Sequence, residues 1–249
     1  MIPATQSATQ PHPDEWLGSF VPLGKVEGES WTPIGAGVLF VEAPIVWLLT
    51  ARSALEAAGD APISAWVRDD KKGTLLDLTQ GRRGTPLDWI VSKDDDVAVC
   101  LFPTDPSWKV KAFNESQCFP AHDLQALLPT ATLCAPYGLA PLSGWTMPLV
   151  QTGTMASVDR ETGQLVTTAP LLPRNAGAPL LITLPTQSGG GVQLAGILSH
   201  TVAVPEPHRS TAPPVRLAIG QPVLAALALI RGEQGKEQRK LALQSAGQA

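Results

Sequence analysis

"RNAGAPLL", residues 174–181, places a turn directly in front of an apolar strand. Gly177 opens backbone conformations closed to other residues, and the residues from Pro179 onward begin an extended run. A bend of this kind at the mouth of a strand is where many hydrolases hold a nucleophile, because the reactive hydroxyl or thiol has to project clear of the backbone. The side chain at the centre of this bend is Ala176, a methyl group. Whether the remainder of such a site surrounds it is a matter for the rest of the chain.

With 249 residues, the chain is long enough for one large all-β domain or two smaller units with ample core. Its 24 prolines and 22 glycines are scattered without a period, which favours many short strands over long helices. Net charge is −4, from 18 basic and 22 acidic residues, and no basic patch precedes the C-terminal tail. Nucleic acid is therefore not an expected partner. The cysteines Cys100, Cys118 and Cys134 form no CxxC pair and are odd in number, as expected of buried thiols in a reducing compartment. No metal site and no cofactor is implied. The opening "MIPATQSATQPHPDEW" has neither the basic start nor the apolar core of a signal peptide. The longest apolar run, residues 38–51, is interrupted by Glu42 and Pro44, so no membrane span is expected, and the cytoplasm is the expected compartment.

Residues 1–15 read as a flexible, proline-rich arm. A first β unit over 16–110 contains "GAGVLFV" (35–41), "IVWLLTA" (45–51), "PISAWVRD" (62–69), "TLLDLTQ" (74–80) and "DVAVCLF" (96–102). A crossover over 111–128 leads to a second unit over 129–219. Its strands are "TATLCAPYG" (130–138), "MPLVQTGTMASV" (147–158), "QLVTTA" (164–169), "PLLITLP" (179–185) and "VQLAGILS" (192–199), with "SGGG" (188–191) as a hairpin tip. Helical spacing appears only at 220–232, where Val223, Leu227 and Ile230 share a face and Gly232 marks a stop. The polar tail 233–249 reads as helical or loose.

Three segments, in this order, resemble the trypsin-like serine peptidases, and among them the HtrA-type peptidase domain. The first is "LLTARS", which puts Ser53 at the position of the family's general-base histidine. The second is "DVAV", which selects Asp96 over Asp94 and Asp95 as the orienting carboxylate. The third, "TTAPLLPRNAGAPLL" (167–181), matches the nucleophile segment at Thr167, Ala169, Pro173, Asn175, Gly177, Pro179 and Leu180. It puts Ala176 at the serine and Arg174 at the glycine of the oxyanion turn formed by Arg174, Asn175 and Ala176. "GAGVLF", "CAPYGLAP…TGTMASV" and "LAGILSH" are similar to further family segments, so the resemblance spans roughly residues 20–232. It implies an all-β fold of two six-stranded-type antiparallel barrels with a C-terminal α-helix. It also implies a cleft lined by Leu172, Pro173, Gly196, Ile197, Leu198, Ser199 and His200.

Acyl transfer by this family needs a nucleophile, a base that takes its proton, and a carboxylate that orients the base. Ala176 has no attacking atom and Ser53 accepts no proton near neutral pH, so Asp96 has no imidazole to orient. Oxyanion contacts and binding alone would leave at most ~10³–10⁴-fold over water. Arg174 bears a Cβ where the turn favours glycine, which weakens even that remainder. His200 is the one surrogate base the sequence offers, and it reads first as a strand-end histidine. His12, His122 and His208 fall in proline-bounded loops, Cys134 lies on a strand remote from the turn, and Ser188 and Ser199 have no evident partner. Of seven tryptophans, Trp47 and Trp66 read as core, while Trp16, Trp31, Trp89, Trp108 and Trp145 sit in loop-like text as packing residues or interface anchors.

The expected function is that of a catalytically inactive, protein-binding or scaffolding subunit of a larger assembly, with a protein or peptide segment as partner. Two other readings stay open. One is a serine endopeptidase whose nucleophile and base are replaced in this chain by Ala176 and Ser53. The other is a hydrolase working from an unrecognised site.

Overall fold

The computed structural model describes residues 16–28, 30–67, 73–78, 88–119, 129–134, 149–172, 174–184, 191–204 and 215–247. The arm at 1–15, Trp145, His12, His122, His208, Pro173 and Ser188 lie outside the described residues.

The chain is mainly β, in two antiparallel sheets followed by C-terminal helix. The first sheet is built from β1 (Phe20–Glu27), β2 (Ser30–Glu42), β3 (Ile45–Thr50), β4 (Ile63–Val67), β5 (Thr74–Asp77), β6 (Ile90–Val91) and β7 (Ala98–Leu101). Its seven strands lie in the order β5-β4-β1-β2-β3-β7-β6. A short helix, α1 (Arg52–Glu56), follows β3 directly. The second sheet closes as a six-stranded barrel in the order β10-β13-β12-β11-β8-β9. Its strands are β8 (Pro129–Cys134), β9 (Leu149–Val158), β10 (Leu165–Thr167), β11 (Pro179–Thr183), β12 (Val192–Val204) and β13 (Val215–Pro222).

The strands at the middle of the first sheet read as unbroken apolar runs because both of their faces are covered. Along β2, Ala36, Val38 and Phe40 enter a large cluster shared with the barrel, while Leu39 enters a second cluster on the opposite face. β3 divides in the same way, with Trp47 and Leu49 on the shared side and Leu48 on the other. Leu165, Leu180, Ile197 and Leu198 extend the shared cluster through the barrel. One continuous core thus fixes the two sheets against each other, and the site described below lies on their seam.

The C-terminal helix extends beyond the expected span. Gln221 and Pro222 still belong to β13, and α2 runs Val223–Arg231 with Pro222 as its extended N-cap residue. Val223, Ala226, Leu227 and Ile230 face the shared cluster, which is the 3.6-residue pattern read from the sequence. The chain turns at Gly232 and continues as α3 (Glu233–Gly247). Arg231 bonds Glu42 at 3.0 Å and Glu115 at 2.9 Å, and Arg239 on α3 also pairs with Glu42. Two of the tryptophans assigned to loops are core instead. Trp16 and Trp31 are buried, whereas Trp66 is half-buried, and Trp89 and Trp108 pack on the second cluster.

Phe40→Ala removes a fully buried ring between the sheets. Urea unfolding should register a loss of about 3–5 kcal/mol, while Leu224→Ala on the exposed side of α2 should cost less than about 1 kcal/mol.

Candidate functional site

Thr50 ends β3 with its hydroxyl donating to the Ala36 carbonyl at 2.6 Å, and Ala51 is extended before α1 begins. Ala51 offers no side-chain cap, so the first N–H groups of α1 need an acceptor from elsewhere. Asp96 supplies it. The Ser53 N–H donates to Oδ1 of Asp96 at 2.7 Å, and the Ser53 hydroxyl donates to Oδ2 at 2.8 Å. Asp96 can reach because its loop is tied down from two directions. Ser92 N–H donates to the Val97 carbonyl at 2.9 Å, and Asp95 N–H to the Ser92 hydroxyl at 3.1 Å. Arg52 then clamps that loop to α1, with Nη1 donating to the carbonyls of Ser92 at 3.1 Å and Lys93 at 3.2 Å. Among the three consecutive aspartates, it is Asp96 that faces Ser53.

A third donor arrives from the barrel. The Ser199 hydroxyl donates to Oδ2 of Asp96 in a short hydrogen bond and lies 2.8 Å from Nδ1 of His200. The expectation that Ser199 has no partner is therefore overturned. Its partner is 103 positions away in the chain, on the other sheet. The register of β12 against β13 shifts between Leu198 and His200, so Ser199 is the extra residue of a bulge. A bulge breaks the alternation that would send neighbouring side chains to opposite faces. Ser199 is almost fully buried while His200 stands in solvent. Ser199 has one hydroxyl proton and Asp96 takes it, so the contact with His200 is made by an Nδ1–H donating to the Ser199 oxygen.

The turn at 174–178 closes the site from the other side. Arg174 adopts φ 65° and Gly177 φ 86°. The left-handed region costs a residue with a Cβ roughly 1–2 kcal/mol, so Arg174 keeps the turn's shape at a small strain. Ala36 N–H donates to the Ala176 carbonyl at 2.9 Å, Gly177 N–H to the Leu198 carbonyl at 2.7 Å, and Leu198 N–H to the Ala178 carbonyl at 2.8 Å. A Cβ on Gly177 would lie 2.1 Å from the Ala36 carbonyl oxygen and 2.2 Å from the Thr50 hydroxyl. At Gly35 a Cβ would meet Ala54 of α1 at 2.6 Å and the Ala176 carbonyl at 2.7 Å. These contacts bring the three sequence segments to one place.

Upstream, Thr167 is fully buried and holds the approach to the turn. Its hydroxyl lies 2.7 Å from that of Thr130, donates to the Thr154 carbonyl at 3.0 Å, and receives the Ala169 N–H at 3.1 Å. Of the residues expected to line a cleft, Leu172 is half-buried and His200 exposed. Gly196, Ile197 and Leu198 are closed to solvent, with Gly196 and Ile197 paired to β11. Asn175 is buried in the turn. Sequence reasoning missed Arg52, and it named Ser199 as a cleft-lining residue without its partner Asp96. Arg52 could have been suspected as the cation beside Ser53, whereas nothing local to Ser199 announced its partner.

Chemically, the Asp96 carboxylate accepts one N–H and two hydroxyls, and Ala176 meets the first sheet through its carbonyl at Ala36. Among the described residues no three His, Cys, Asp or Glu side chains gather as metal ligands, and no helix is long and apolar enough to cross a membrane. The Cys100 thiol is pushed far up by burial. Cys118 is pushed up to about 12, first by burial and then by Glu115, and Arg231 opposes the shift. Neither thiol is a ready nucleophile at neutral pH. Comparison with protein families finds no matching family model, and comparison with characterised proteins finds no significant relative.

Asp96→Ala would strand three donors, Ser53 N–H and two hydroxyls, and should lower stability in urea by about 1–3 kcal/mol. Asp96→Asn, which keeps one acceptor oxygen, should cost less. Gly177→Ala should be the more severe change, roughly 3 kcal/mol or more, because its methyl has to displace the Ala36 carbonyl and the Thr50 hydroxyl of the first sheet and strains a positive φ. A Gly177→Ala protein as stable as the parent would contradict the packing of the turn.

Proposed function

We propose that this chain is a trypsin-like, HtrA-type pseudo-peptidase: a protein-binding or scaffolding subunit that holds a partner segment instead of cleaving it. The observation that carries the reading is the environment of Asp96. The carboxylate that would orient an imidazole is engaged by Ser53 and Ser199, and the position that the resemblance gives to the nucleophile is Ala176, which has only a methyl group. On this reading the fold would keep the frame of a nucleophile site without the groups that move protons and attack carbonyls.

The binding half of the proposal draws support from β12. β11 pairs with β12 only as far as Ile197, whereas β13 follows it to Val204. Beyond Ser199, β12 is therefore paired on one side only among the described residues, and this edge begins beside Asp96. An extended peptide adds to such an edge through main-chain hydrogen bonds, with alternate side chains setting specificity.

A second reading, a serine endopeptidase with its active groups substituted, shares the same frame, and one experiment separates the two. Ser53→His and Ala176→Ser are introduced together, and hydrolysis of casein and of peptide esters is followed. The pseudo-peptidase reading expects both the parent and the double variant to stay inactive, because Arg174 also departs from the oxyanion turn. Cleavage by the double variant would give the second reading the better claim.

A further inference from the structure

α3 is a polar helix held to the body by polar contacts. Arg239 pairs with Glu42, and Gln238 Nε2 donates to the Asp88 carbonyl at 2.8 Å. Its inward side is Gly235 with the half-buried Gln238, Arg239 and Ala242. Another face is unlike the rest of the molecule. Lys236, Lys240 and Leu243 follow one another at i, i+4 and i+7, so they stack along one side of the helix. With Arg239 and Gln244 they make up one open face of α3, to which no other element adds a residue among the described residues. Its exposed cations are Lys236 and Lys240, since Arg239 is paired with Glu42, and no carboxylate is among its five residues, in a chain whose net charge is −4. Leu243 at its end stays 44% exposed, and Leu241 nearby 47%.

We propose that this face of α3 docks an acidic segment of a partner protein, a short stretch in which one apolar side chain lies between carboxylates. The apolar side chain would cover Leu243 and the carboxylates would meet Lys236 and Lys240. Charge complementarity favours this occupant, and the molecule already contains an instance of the same recognition, since Glu42 holds α3 through Arg239. An anionic membrane fits less well. A helix lying in a bilayer surface needs a broad apolar face, and from Glu233 to Lys240 there is no apolar side chain. The inference depends on α3 alone and is independent of whether the Asp96 site is active.

The test measures fluorescence anisotropy of a fluorescein-labelled glutamate–leucine peptide against the full chain, with a lysine–leucine peptide of equal length as its counterpart. The expected result is saturable binding of the acidic peptide that weakens as salt is added. Lys236→Glu together with Lys240→Glu should weaken it roughly tenfold or more, as two attractive pairs become repulsive. Leu243→Asp should also weaken it, whereas Leu241→Ser should leave it unchanged, and all variants should keep the parent's thermal midpoint because the substituted residues are exposed. No binding, equal binding of the lysine–leucine peptide, or an affinity indifferent to the double reversal overturns the proposal. So does co-sedimentation with phosphatidylserine–phosphatidylcholine vesicles in place of peptide binding. Concentration-dependent self-association that the Lys236/Lys240 variant abolishes would likewise overturn it, by giving the face to a second copy.

Discussion

Gly177 lies against the first sheet with no space for a side chain, and much else follows from that contact. Its φ of 86° bends the 174–178 turn, and its N–H holds Leu198 on β12. The adjacent carbonyl of Ala176 receives the N–H of Ala36 on β2. Two strands from different sheets are thereby tied to one bend, a few residues from where β12 bulges at Ser199. The apolar cluster shared by both sheets supplies the bulk of the association. Hydrophobic burial is not directional, however, and the backbone bonds at the turn set the alignment of one sheet on the other.

Asp96 performs the same function with side chains. Its carboxylate links α1 of the first sheet to β12 of the barrel through Ser53 and Ser199. A half-buried carboxylate with three donors is well solvated by the protein, and removing it would leave those donors unpaired close to the core. The group therefore has a structural reason to be where it is, whatever the catalytic history of the position. Ser53 fits this arrangement as a short hydroxyl beside its own N–H, both aimed at one carboxylate. An imidazole at the same place would use the carboxylate differently, through one ring nitrogen.

The central strands and α2 were legible in the sequence because each carries its own periodicity and punctuation, whereas β1, β6 and β13 were not read as strands. The order of the "LLTARS", "DVAV" and "RNAGAPLL" segments anticipated which residues converge, including Asp96 in preference to its two acidic neighbours. Less was legible where a role depends on distant chain. Ser199 reads as one more small polar residue at a strand end, since its partner lies on another sheet and a bulge is needed to aim it. The helix was read as starting too early, at 220 instead of Val223, because Pro222 satisfies both a strand terminus and a helix start. α3 has weak amphipathicity of its own, and it is anchored by Glu42 and Asp88, far earlier in the chain. Trp16 and Trp31 looked like loop residues because their flanking text is polar, yet a core built from two sheets takes side chains from the margins of strands as well as from their centres.

The proton inventory of the site bears on what it can do. Ser199 spends its only hydroxyl proton on Asp96 and receives one from His200, so every donor in the chain points inward toward a single carboxylate. For the imidazole to act as a base on a substrate held near Ala176, it would have to take the proton on Nε2, the nitrogen left free by the Ser199 contact. That nitrogen belongs to an exposed side chain beyond the bulge, whereas the turn is tied to the backbone of Leu198 before it. On the proposed binding reading, the side of β12 beyond Ser199 that is unpaired among the described residues is where an extended segment would add.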